Sequence, residues 1–296
     1  MSRNNLKIQI VGTVRDVADV ISPELEVVER AFEKFGLLSI FLVESDSKDK
    51  TLKTLQKLKE TKLNLEYVSL GNLQTEIPNR YERIAFCREQ YLNYVREKRE
   101  DIDYVVVVDL DGMNLNLSED SVGNAFSQSE NWDAVFANQR GRYYDIGALR
   151  HRYWSPNDCF SVMHWASSIT TNESARLLAI QSRMIKIDEG AGLIPVESAY
   201  GGLAIYRADA FVQSSYIGLD ENLNPQLDFV AFNLKLSEKG FRLFIDPRLI
   251  NCVFNSHNAS ESAIYDRLKN LARNLPSSQL KRQIKWAILK LLSKVN

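Results

Sequence analysis

No run of about 18 consecutive apolar residues occurs anywhere in this 296-residue chain, so the sequence offers no membrane-spanning helix. Net charge is nearly absent as well. At a formal −1 the molecule has no overall field to gather nucleic acid, and no nucleic-acid partner is expected. Cysteine is scarce: Cys87, Cys159 and Cys252 are odd in number, far apart and at no metal-ligand spacing. That excludes a disulfide framework and fits a reducing, cytoplasmic compartment. The opening MSRNNLKIQIVG has polar residues where the apolar core of a signal peptide would stand. Internal repeats and low-complexity linkers are also missing. What is present is an ordinary globular composition, 45% hydrophobic and 25% charged, in a chain long enough to bury a large core.

The first half alternates strand and helix signals. Residues 7–11, 38–43, 65–70 and 104–108 are short apolar or β-rich runs. Residues 17–35, 48–62 and 79–98 carry apolar side chains at helical spacing between them. This order predicts a parallel sheet with helices on both faces, and ligands in such sheets bind beyond the carboxyl ends of the strands. Gly12-Thr13, Glu44-Ser45-Asp46 and Asp109-Leu110-Asp111 stand at three of those ends. Past Gly112 the rhythm changes. A helix is expected over 119–128 and a strand over 133–137, then irregular polar sequence to about His164. A strand over 194–206 with Gly201-Gly202 at its centre, a helix over 224–239, and short strands over 241–245 and 249–254 complete the expectation. One mixed α/β domain spans 1–265, with a helical tail over 266–296.

Asp109 and Asp111 directly follow YVVVV and precede Gly112. Two carboxylates two residues apart, where a chain leaves a sheet, can point at one ligand. A hard divalent ion such as Mn²⁺ or Mg²⁺ needs oxygen ligands, and a nucleotide diphosphate supplies two more. The ion can then act as a Lewis acid on charge that builds on the diphosphate. The plain alternative is a turn, since Asp and Gly punctuate strand ends. The same D-L-D-G also fits haloacid dehalogenase-like phosphatases, with Asp109 as nucleophile. Against that stand the motif's place deep in the chain, Met113 after Gly112, and no later acidic pair to hold magnesium.

Five stretches carry a more specific resemblance: RIAFCREQYL at 83–92, YVVVVDLDGMN at 104–114, YYDIGALRH at 143–151, ESAYGGLAIYR at 197–207 and FVAFN at 229–233. Together they resemble the GT-A (Rossmann-like, nucleotide-binding) fold of glycosyltransferases, and within it the capsule-associated α-1,3-mannosyltransferase-like family and its bacterial relatives. The resemblance implies a mixed sheet flanked by helices and a GDP- or UDP-linked sugar donor. Residues 1–112 would hold the nucleotide and 113–265 a glycan or lipid-linked glycan acceptor, for surface polysaccharide assembly. It implies Asp111 as direct metal ligand, Asp109 acting through ribose or metal-bound water, and His257 as a further ligand. The alternative for His257 is a surface histidine in a polar loop. It also implies, weakly, a mannose-type donor and retention of configuration. Gly147, where relatives often carry a bulky aromatic, and Phe229, where a histidine often follows the acid, depart from the pattern. A catalytically inactive carbohydrate-binding or scaffold protein is the remaining class.

Other residues fit a donor site physically. Arg83 and Arg88, on the helix before the acidic strand, can grip a diphosphate bidentately. Gly12, Thr13 and Arg15 stand where a backbone can approach a nucleotide, and Glu44 and Asp46 can accept hydrogen bonds from ribose or base. The glycine pair Gly201-Gly202 signals close approach of a donor sugar or, alternatively, a β-bulge. Tyr143, Tyr144, Asp145 and Arg150 form a polar aromatic cluster of the kind that lines sugar sites. Asp145 and Asp228 are the candidate catalytic carboxylates, though Asp228 also suits the first turn of a helix on charge alone. From Lys269 to the end the chain holds seven Lys or Arg and no acid, with Leu280, Ile284, Leu291 and Val295 on one helical face beside Trp286. That pattern suits an anionic membrane surface at the inner face of the cytoplasmic membrane, or a terminal helix packed on the domain.

Overall fold

The computed structural model describes residues 5–252. His257 and the basic segment 266–296 lie outside the described residues. In the first half the buried runs become four mutually parallel strands: β1 (Leu6–Val14), β2 (Gly36–Glu44), β3 (Leu65–Ser69) and β4 (Tyr104–Val108). Helices α1 (Ile21–Phe32), α2 (Thr51–Thr61) and α3 (Arg80–Glu97) join them. The chain continues through α4 (Glu119–Ser127), β5 (Ala134–Gln139), α5 (Cys159–Ser167) and α6 (Asn172–Ala179). It ends with β6 (Ile194–Pro195), β7 (Leu203–Arg207), α7 (Ala208–Phe211), α8 (Asp228–Glu238) and β8 (Leu243–Cys252).

The described residues form one eight-stranded mixed sheet in the order β3-β2-β1-β4-β7-β5-β8-β6, with β7 antiparallel to both of its neighbours. Every residue of β4 is buried, because α-helices cover both faces of the sheet. Val105 and Val107 join the core that holds Tyr91, Leu92 and Phe232 of α3 and α8. Tyr104, Val106 and Val108 join the opposite core, with Leu25 and Val28 of α1 and Val122 of α4. Each such valine contributes roughly 1.5–3 kcal/mol by leaving water, so the strand carrying the acidic pair sits in the best-anchored part of the molecule.

Four local expectations are corrected. β1 runs on through Gly12 to Val14, so Gly12 lies inside the strand rather than beyond its end. Added there, a Cβ would come within 2.7 Å of the Val108 carbonyl oxygen; the small residue serves strand packing. The expected strand over 194–206 is two strands, β6 and β7, and the glycine pair just precedes β7 with both φ angles positive (73° and 88°). The irregular stretch before His164 gives way to a helix, α5, capped by the Asp158 carboxylate accepting from the Ser161 amide. Finally, β8 is a single strand through Pro247, because a register shift against β5 absorbs the proline. No helix among the described residues is long and apolar enough to cross a membrane.

Candidate active site

The chain lays β2 and β3 on one side of β1 and then crosses to β4 on the other, so the winding reverses between β1 and β4. Loops diverge at such a point and leave a crevice at the carboxyl ends of the strands. A cleft of about 330 Å³ opens there. Thr13 and Arg15 line it from the end of β1, Ser45 and Asp46 from the loop after β2, and Asp109, Leu110 and Asp111 from the loop after β4. One side of α3 closes it with Arg80, Arg83, Ile84, Cys87 and Arg88.

Asp109 is half-buried and Asp111 exposed, at the apex of the loop. The Tyr200 hydroxyl donates to Asp109 Oδ1 at 3.1 Å, and Arg88 Nη2 lies 3.6 Å from the same oxygen. Burial, and then the nearby Asp111 and Asp145 charges, raise the Asp109 pKa to about 7, against the pull of Arg88 and Tyr200. Gly112 closes the loop at φ 98°, a left-handed conformation that explains why glycine follows the acidic pair.

Arg88 is almost fully buried. Its Nε lies 2.5 Å from Asp228 Oδ2, its Nη1 donates to the Tyr91 hydroxyl at 3.1 Å, and its guanidinium sits 4.0 Å from the centre of the Phe229 ring. Phe229 in turn stacks on Tyr200 with centroids 3.7 Å apart. Asp228, a candidate catalytic acid, is therefore drawn onto Arg88 at the start of α8 and does not line the cleft. Arg83 is committed in the same way: Nε is 3.3 Å from Asp46 Oδ2, and Nη1 donates to the carbonyls of Ile77 (2.7 Å) and Pro78 (3.1 Å). Asp46 also accepts from the Gln74 amide. Both arginines thus hold protein carboxylates, whereas Arg15 and Arg80 are exposed at the cleft mouth. Arg80 was missed in the sequence. Its signal is the series Arg80-Ile84-Arg88, whose i, i+4, i+8 spacing places it on the same stripe of α3.

The remaining expected residues lie around rather than in the cleft. Glu44 is buried, accepting from the Ser47 amide at 3.0 Å and the Ser69 hydroxyl at 2.5 Å; it stabilises the turn after β2. Asp145 accepts the amides of Gly201 (3.0 Å) and Ala148 (3.2 Å), which ties the aromatic loop to the glycine pair. Protein atoms pack against the side of each glycine where a Cβ would stand. A Cβ on Gly201 would meet the Ala137 carbonyl at 2.6 Å, and one on Gly202 would meet Asn251 and Met113 at 3.3 Å. Gly147 leaves room for an aromatic ring from elsewhere, since Phe160 of α5 comes to 3.1 Å of where its Cβ would be.

The donor set fits a hard divalent ion. Both side chains at the loop are carboxylates, and Asp111 reaches the cleft from an exposed position. Among the described residues no group of three or more His, Cys, Asp or Glu is arranged to hold a metal, so this carboxylate pair is the candidate there.

An α/β sheet of this winding, with an acidic pair just past its central strand, is the GT-A arrangement found in glycosyltransferases. The mannosyltransferase PcManGT from Pyrobaculum calidifontis, solved with GDP-Man and Mn²⁺, matches 97% of this chain and 70% of its own at 15% identity and a TM-score of 0.50. S. aureus TarS with UDP-GlcNAc matches 94% of this chain and 70% of its own at 14% identity and a TM-score of 0.44. The mannosyl-3-phosphoglycerate synthase of Rubrobacter xylanophilus matches 71% of this chain and 56% of its own at 16% identity and a TM-score of 0.38. PcManGT shares the fold, and at that identity the fold is all the likeness carries. No family model and no curated protein sequence matches the chain.

Proposed function

We propose that the protein is a metal-dependent glycosyltransferase that moves a sugar from a nucleotide-diphosphate donor to a glycan or lipid-linked glycan acceptor. The observation that carries this is the meeting, in one cleft at the β1/β4 crossover, of the exposed Asp111 with the exposed guanidinium groups of Arg15 and Arg80. The mannosyltransferase of the same fold holds GDP-Man and Mn²⁺. By analogy, a GDP- or UDP-linked donor fits here.

In this mechanism Asp111 would hold Mn²⁺ or Mg²⁺, and Arg15 and Arg80 would bind phosphate oxygens. When bound, the ion supplies Lewis-acid stabilisation of the departing diphosphate. Asp109, held by Tyr200 and Arg88, fixes the floor of the site and accepts from ribose or from water. Arg88 carries the constraint on to Asp228 and Phe229, so α8 and the donor cleft keep one relative geometry. Asp145 sets the aromatic loop that faces the acceptor. Residues 1–112 form the donor half, and 113–265 the acceptor half with His257 as a further ligand. The basic segment 266–296 would bring the enzyme to an anionic membrane at the cytoplasmic face, where lipid-linked acceptors for surface polysaccharide are extended. The phosphatase reading needs Asp109 free to attack as a nucleophile, whereas its Oδ1 already accepts from the Tyr200 hydroxyl and faces Arg88.

The test is thermal shift with UDP, GDP and their sugars, with and without Mn²⁺, on wild type and Asp111→Asn. A ligand that binds the native state raises Tm by mass action. A rise that needs one diphosphate nucleotide, the metal and Asp111 together supports the proposal. Hydrolysis of simple phosphate esters without any nucleotide-dependent shift would overturn it.

A further inference from the structure

Below the acidic loop, outside the cleft, lies a second set of buried polar groups. Glu24 belongs to α1, whose other buried residues are Ile21, Leu25, Val28, Ala31 and Phe32, and it is fully buried among them. A carboxyl group in an apolar interior is costly unless hydrogen bonds compensate it. The compensation comes from the acidic loop, 88 residues away in sequence. The Gly112 amide donates to Glu24 Oε2 at 2.7 Å, and the Asn114 amide donates to Oε1 at 2.7 Å. Asn114 Nδ2 reaches Oε1 at 3.3 Å as well.

Asn114 then ties the other end of the loop. Its Nδ2 donates to the Asp109 carbonyl at 2.6 Å, and Asn251 Nδ2 donates to Asn114 Oδ1 at 3.0 Å and to the Gly201 carbonyl at 2.8 Å. The Asp109 amide donates to the Gly202 carbonyl at 3.0 Å. Asp109 and Asn114 are thereby fixed through both backbone and side chain, and Gly112 through its amide. Asp111 stands at the apex between them.

We infer that Glu24 is a positioning residue: it lies outside the cleft lining, and its carboxyl group fixes the turn that aims Asp111 into the cleft. This rests on the proposed function for what Asp111 binds, but the clamp itself does not. Groups that orient a metal ligand from behind typically change metal affinity by about 10–100-fold when altered, even where the fold survives. Glu24→Gln is the informative substitution. It keeps shape and one acceptor oxygen, but turns an N–H₂ toward one of the loop amides. Glu24→Ala would also open a cavity, so loss of fold there would not separate the two roles.

Two measurements, both made well below Tm on the full chain, decide the matter. The first is amide hydrogen exchange of wild type and Glu24→Gln without metal. The inference expects faster exchange at Gly112 and Asn114 and little change in β1 or β4; unchanged protection at both amides overturns the clamp. The second is Mn²⁺ binding followed by the electron paramagnetic resonance signal of the free ion, with GDP or UDP present. About tenfold weaker binding by Glu24→Gln supports positioning. Equal affinity despite lost protection would reduce Glu24 to a purely structural group. Absence of Mn²⁺ binding by wild type would sink the metal-dependent function, while the exchange result would still decide the clamp.

Discussion

The floor and the mouth of the cleft use the same residue type in opposite ways. On the floor, Arg83 and Arg88 are buried and paired with Asp46, Asp109 and Asp228. At the mouth, Arg15 and Arg80 are exposed, beside an exposed Asp111. A buried guanidinium with its carboxylates in place cannot re-pair with an incoming phosphate without leaving those carboxylates uncompensated. A cation at the rim loses much less on the exchange. On the proposed function, the floor therefore sets geometry and the mouth supplies charge for the ligand.

The sharpest way to break this comparison is at the floor. Arg88→Ala leaves Asp228 buried without its cation and removes the face-on contact with Phe229, so about 3–5 kcal/mol of stability should be lost in urea denaturation. A loss below about 1 kcal/mol would put Arg88 with the rim arginines. At the mouth, Asp111→Asn should weaken Mn²⁺-dependent nucleotide binding by about 100-fold or more, roughly 2.7 kcal/mol, while the Tm of the metal-free protein barely moves. Arg15→Ala and Arg80→Ala should each cost about tenfold, near 1.4 kcal/mol, in affinity for GDP or UDP and much less for the nucleoside, read by calorimetry. Equal losses for nucleotide and nucleoside would mean that these side chains contact base or ribose instead.

The last effect expected is in pH dependence. Burial raises Glu24 to about 8, helped by the Asp111 charge and opposed by the amides of Asn114 and Gly112. Asp109 is raised to about 7. Both values exceed those of the unfolded chain, so the folded state binds more protons between pH of about 4 and 8, and stability falls as pH rises through that window. The Tm of the metal-free protein should decline from pH of about 5 to 8, and Glu24→Gln should remove part of the slope. A flat profile would show that the loop amides keep Glu24 ionised throughout.

The first half of the chain was readable because parallel strands under helices on both faces must be continuously apolar, and the turns after them carry the polar residues. Residues 104–111 show both signals in eight positions. The second half resisted the same treatment. The α5 and α6 helices are short, and their caps at Asp158 and Thr171 are clearer than their apolar periodicity. Pro247 looked like a chain break because the register shift that accommodates it depends on β5. Glu24 stands out in sequence only as an acid on the apolar stripe of a helix, and its partners are known only once β4 lies beside α1. Arg83 and Arg88 were legible as cations near the site, but not as cations already engaged, since Asp46 and Asp228 arrive from other elements.

The placement of β7 between β4 and β5 bears on how the chain reaches this state. β4 pairs on one side with Ile8–Val11 of β1, made long before it, and on the other with Leu203–Arg207, made long after. Until β7 arrives, a wholly apolar strand presents an open edge, the kind that recruits other strands. Emerging from the ribosome, the first half can collapse but cannot close, and pairing over such separations is slow. A fragment ending near residue 112 should therefore aggregate rather than persist as a free nucleotide-binding module, and the cell's chaperones would meet this protein chiefly in the interval before its seventh strand is made.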